Sequence, residues 1–215
     1  DIKAWITGAD KAGLQVTTHA IGDEANDIVL DTLAAVAKAN GPRDRRFRVE
    51  HVQHMKPHAI ARFKKQGVIA SVQPYHAIDD GRWAVRRIGE ERLKTSFAFG
   101  SLVRSGAHVC MGSDWPVAPI DPLTGLEAAV DRETLDGLNP NGWFPEQRVT
   151  LAQAMHSYTQ EGAYAGFNEK KMGAIVPGLL ADFVVWDSDL FAIDSHLLVE
   201  AKVLRTIVGG RQRYG

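Results

Sequence analysis

One stretch, Val109 to Pro116, constrains the chain most. Val109-Cys110-Met111 is a short apolar run, Gly112-Ser113-Asp114 follows it, and Trp115-Pro116 stops it. Proline offers no N–H to a ladder and pushes the residue before it toward extended backbone. The run therefore reads as a buried strand with Asp114 at its C-terminal end. Two earlier runs end in the same way on a histidine. Leu14-Gln15-Val16-Thr17-Thr18 leads to His19, and Phe47-Arg48-Val49-Glu50 leads to His51. Two imidazoles and a carboxylate at three strand ends are a donor set for a metal with an open coordination position. In parallel α/β proteins that end of the strands is where chemistry gathers.

The text between these strands supports a parallel sheet. Helical patterns are expected over 2–12, 24–39 (opened by Asp23 as N-cap), 57–66 (Pro57 in its first turn, Gly67 as its stop), 96–105, 123–132 and 150–165. Strands are expected over 14–19, 47–52, 68–72 and 107–112, with a polar insertion at 75–95 and a Pro- and Gly-rich loop at 136–147. Strands alternating with helices through short connections form βα units. From Gly173 the pattern changes to short strand-like pieces at 181–187, 203–208 and 212–214, a small β unit.

Bulk properties exclude some classes. The 215 residues carry 25 Lys and Arg against 26 Asp and Glu, so no basic surface points to nucleic acid. No apolar run approaches the ~20 residues of a membrane span. The single cysteine, Cys110, forms no internal disulfide, which fits a reducing, cytoplasmic setting. The chain starts at Asp1 inside a helical pattern, which reads as a fragment of a longer protein.

Each candidate has a plain structural alternative. Alternation puts His19 on one face with Gln15 and Thr17, where it is a metal ligand or a hydrogen-bonded core histidine. His51 shares a face with Phe47 and Val49 by the same rule. Glu50 points away from His51 and reads as an ion-pair partner of a neighbouring arginine. Asp114 can bind a metal and accept a proton from water, or it can cap a turn. Gln73, Tyr75 and Trp115 lie where loops above the strands contact substrate. His76 lies in the insertion and is a weak candidate. His54, His58, His156 and His196 read as surface or capping residues, His108 as lying at the opposite end of its strand, and Cys110 as packed. No G-x-S-x-G elbow accompanies Ser113, which argues against a serine triad.

His19-Ala20-Ile21-Gly22-Asp23, Glu50-His51-Val52-Gln53, Ser71-Val72-Gln73-Pro74 and Gly112-Ser113-Asp114-Trp115-Pro116 together resemble the metal-dependent amidohydrolase superfamily, in its family 3 branch. The resemblance implies an α/β fold: the C-terminal half of a (β/α)8 TIM barrel (strands 5–8) over 1–168, then the C-terminal part of a small β-sandwich over 169–215. It implies a divalent metal, zinc in a binuclear pattern, held by His19, His51 and Asp114. Asp114 would be the general base and acid in hydrolysis of an amide or other C–N bond of a small molecule by metal-activated water. The family's first-strand H-x-H and bridging lysine have no counterpart here, so this chain alone is expected to bind metal weakly and to be inactive. A homodimer, or the missing N-terminal half, would complete the barrel. A catalytically inactive half-barrel, or a deaminase or decarboxylase of the same superfamily, is the alternative.

Overall fold

The computed structural model describes residues 1–215. In chain order the elements are α1 (Ile2–Lys11), β1 (Thr17–Ala20), α2 (Asp23–Asn40), β2 (Arg48–His51), α3 (Pro57–Gln66), β3 (Ile69–Val72), α4 (Pro74–Asp80), α5 (Val85–Ile88), α6 (Glu90–Leu93), α7 (Phe99–Arg104), β4 (Val109–Met111), α8 (Pro122–Val130), α9 (Leu151–Tyr158), α10 (Gln160–Ala165), β5 (Phe183–Trp186), β6 (Val203–Val208) and β7 (Arg211–Tyr214). Two compact units divide the chain: 1–72 with 80–109, and 73–79 with 110–215.

In the first unit β1 pairs with β2, and β2 with β3, in parallel. Ala70 of β3 donates its N–H to the carbonyl of His108, just before β4, at 2.9 Å. Alternation along β1 buries Thr18 and Ala20 and leaves Thr17 and His19 exposed. α2 turns Leu30, Leu33 and Val36 inward at helical spacing, and they are buried together with Val49, Phe63 and Ile69. α3 opens with Pro57 and ends on Gly67 in the left-handed region, φ 64°. At the other end of the unit buried Asp10 accepts from Arg45 Nε at 3.0 Å and Asn40 Nδ2 at 2.8 Å, tying α1 to the end of α2.

Several sequence expectations need correction here. Strand β1 begins at Thr17, so Leu14 stays outside the ladder and is exposed. Gly22, not Asp23, is the N-cap of α2, and Asp23 Oδ1 accepts from the Glu24 N–H at 2.9 Å instead. The polar stretch 75–95 is not a plain loop: α4, α5 and α6 lie within it, each a short helix that gave no long apolar stripe to detect.

In the second unit, α8 buries Leu123, Leu126, Ala128 and Ala129. The helix expected over 150–165 is broken at Thr159 into α9 and α10. Thr159 Oγ1 donates to the Met155 carbonyl at 2.7 Å, a back-bond that bends helices. Strands β5, β6 and β7 form an antiparallel sheet in that order, and no residue of the three is buried. No helix is long and apolar enough to cross a membrane.

Candidate metal centre

The first unit contributes a histidine pair. In the β1–β2 register His19 lies opposite Glu50, and Ala20 opposite His51. Residues opposite one another in a parallel pair share a face, so continued alternation would send His51 to the side opposite His19. It does not, because the backbone turns left-handed at His51 (φ 78°) and Val52 (φ 49°). The two rings meet edge to face, centroids 4.4 Å apart. A left-handed backbone at a non-glycine residue costs about 1–3 kcal/mol and gathers at functional sites. This corrects the expected face of His51: Val49 sits opposite Thr18 on the buried side. Glu50 is paired with Arg48 at 2.6 Å, as the sequence suggests.

Buried Asn26, on the first turn of α2, holds the two histidine-bearing loops together. Its Nδ2 lies within hydrogen-bond distance of the Ala20, Gly22 and His54 carbonyls, at 3.2, 2.9 and 3.1 Å. Nothing in the sequence pattern singles out Asn26, because a polar residue in a first turn reads as solvent-facing. His54 is not a surface residue either. Ser96 Oγ donates to the Arg92 carbonyl at 2.8 Å, so it accepts from His54 Nδ1–H, also at 2.8 Å. Burial lowers the His54 pKa, and the Asp23 carboxylate acts against that.

The second unit contributes Asp114 and His76. The chain leaves β4 through Gly112 and Ser113, and Asp114 takes a left-handed backbone, φ 64°, which aspartate tolerates better than most residues. The Trp115–Pro116 peptide is cis. Asp114 Oδ2 lies 3.1 Å from His76 Nε2, with the imidazole largely buried and about a third of the carboxylate side chain, 34%, exposed. The weak standing given to His76 is therefore corrected: α4 delivers it to the carboxylate. Gln73 begins the same turn, its carbonyl accepting from the His76 N–H at 3.2 Å, and its side chain is buried. Tyr75 is half-buried on α4, and Trp115 is exposed beyond Asp114. His58, His156 and His196 stay on the surface, 3.0, 3.3 and 3.3 Å from carboxylate oxygens of Asp27, Glu161 and Asp131, and Cys110 is buried.

Imidazole nitrogen and carboxylate oxygen, the donors that each unit presents, are ordinary ligands of a divalent metal. Comparison with known proteins gives a consistent result. The profile described as "Amidohydrolase family" matches residues 1–214. Protein LONG AFTER FAR-RED 3 of Arabidopsis thaliana is 45% identical over 212 residues, covering 96% of this chain and 35% of its own length. N-substituted formamide deformylase of Arthrobacter pascens is 31% identical over 210 residues, covering 96% of this chain and 38% of its own length. A metal-dependent hydrolase of uncharacterised activity from Pyrococcus horikoshii superposes with a TM-score of 0.77 at 29% identity, over 91% of this chain and 38% of that one. The chain thus spans less than two fifths of the length of these relatives.

Proposed function

The chain belongs to the amidohydrolase family, and from that premise we propose that the whole protein is a zinc-dependent hydrolase of an amide or other C–N bond in a small molecule. His19, His51 and Asp114 would hold the metal. When bound, the metal supplies Lewis-acid polarisation of the carbonyl and makes water a better nucleophile. Asp114 accepts a proton at its carboxylate and returns it to the departing nitrogen. His76 keeps that carboxylate aimed through Oδ2, while Gln73, Tyr75 and Trp115 contact the substrate. The observation that carries this reading is the Asp114 carboxylate, set on a left-handed turn at the end of β4 and held by His76 at 3.1 Å. The formamide deformylase relative, named for acting on an amide, supports the substrate class.

On this reading residues 1–168 are strands 5–8 of a (β/α)8 barrel and 169–215 part of a β-sandwich. The open edges of β1 and β4 would be completed by an N-terminal half or by a second copy. One observation favours a second reading for the chain alone: no H-x-H pair occurs in its 215 residues, which suits an inactive half-barrel. Steady-state hydrolysis of amides by the whole protein tests the proposal. Asp114→Asn should lower kcat by about 10²–10⁴-fold, the usual worth of a general acid–base. A variant that keeps full kcat would remove Asp114 from the chemistry.

A further inference from the structure

Arg132, just after α8, is the largest fully buried side chain of the protein. Burial lowers its pKa to about 9, and the Glu146 carboxylate acts against that. Buried charge is costly, and well-packed apolar side chains often serve a fold as well. The Arg132 backbone is also left-handed, φ 56°. What the guanidinium does is close a loop. Arg132 Nε donates to the Trp143 carbonyl at 2.8 Å, the Trp143 N–H donates to the Arg132 carbonyl at 2.7 Å, and the guanidinium carbon stands 5.8 Å from the centroid of the Trp143 ring. Residues 133–142 are thereby held between two fixed ends. Among them the Thr134 carbonyl accepts from the Gly137 N–H at 2.9 Å, a β-turn with Leu135 in its second position. Buried Thr134 stiffens it, its Oγ1 donating to Asp136 Oδ1 at 2.7 Å and accepting from Asn139 Nδ2 at 2.9 Å.

This turn reaches α4. The Leu135 N–H donates to the Ile78 carbonyl at 3.2 Å, near the end of the helix, where the last carbonyls lack donors within the helix itself. Two residues before Ile78 stands His76, whose Nε2 lies 3.1 Å from Asp114 Oδ2. We propose that Arg132 is a positioning residue for Asp114: it holds the 133–142 loop so that Leu135 latches α4, and α4 sets the direction of His76 and of the carboxylate. The catalytic consequence rests on the hydrolase reading. Neither Arg132 nor Leu135 touches the substrate; both act through His76. A misplacement of about 1 Å from a change remote from the chemistry can cost about 10²-fold in rate.

Leu135→Pro tests the latch without disturbing the core. Proline suits the second position of a turn and deletes the N–H given to Ile78. Leu135 is exposed, so the unfolding midpoint should stay within about 3 °C of the parent. In the whole protein kcat should fall about ten- to hundredfold with KM unchanged within about twofold. That loss should vanish in a His76→Asn background, where the latch has nothing left to aim. In the 215-residue chain the NMR signals of the His76 ring should move, and those of His156, on α9, should not. Arg132→Met should show the same kinetic split with a lower midpoint. Unchanged His76 signals in Leu135→Pro overturn the proposal. So does an unchanged kcat in an active enzyme, or a loss that multiplies with that of His76→Asn, the mark of a merely structural role. If the whole protein hydrolyses no C–N bond yet the His76 signals move, the latch stands and the hydrolase reading fails. If it does hydrolyse one and Leu135→Pro alters neither kcat nor those signals, the latch alone fails.

Discussion

The two units present their candidate groups by different means. In the first, His19 and His51 stand at the ends of adjacent parallel strands, brought ring to ring by a left-handed step at His51 and clasped by Asn26. In the second, Asp114 sits on a loop and is aimed by His76 from a short helix. The first arrangement is fixed by the ladder and by buried backbone hydrogen bonds. The second rests on a side-chain contact and on a turn in which the Asp114 carbonyl accepts from the Val117 N–H. Strand-borne donors should therefore be lost with fold stability, while loop-borne ones should be alterable without it.

Asn26→Ala is the strongest probe of that difference short of the site itself. It removes the buried side chain, 0% exposed, whose amide bridges the Ala20, Gly22 and His54 carbonyls. The expected loss is about 1–3 kcal/mol, read as a drop in unfolding midpoint of roughly 2–4 °C per kcal/mol for a chain of this size. The NMR signals of His19 and His51 should move with it, and those of His76 should not. Equal movement of all three would erase the distinction between the units.

His54 gives a smaller effect with a defined sign. Burial lowers its folded pKa below the ordinary value of about 6.5, so on acidification the unfolded chain takes up the proton first. Stability is unaffected above that value and falls as pH drops from about 6.5 through the lowered folded pKa. In His54→Asn, which keeps an N–H toward Ser96, thermal unfolding between pH 7 and 5 should show a flatter loss. The same pH slope in the variant would place the titrating group elsewhere.

The same contrast explains what could be read from the sequence. The parallel sheet follows from apolar runs alternating with helical ones, and the strand-end positions of His19, His51 and Asp114 follow from the His, His and Gly-Ser-Asp that close those runs. Alternation misled at His51, because period two says nothing of a left-handed residue, and it placed Val49 on the wrong face. His76 was undervalued because α4 is only Pro74–Asp80, too short to show a periodic stripe within a polar stretch. Asn26 gave no signal at all, since its role lies in contacts with carbonyls 4, 6 and 28 residues away.

The central proposal is that His19, His51 and Asp114 each serve as a metal ligand. Zinc titration of the 215-residue chain by calorimetry tests it most directly. The account predicts weak binding of one equivalent, abolished both by His51→Ala and by Asp114→Asn. Binding that survives either substitution unchanged, or two tightly held metals per chain, would contradict it.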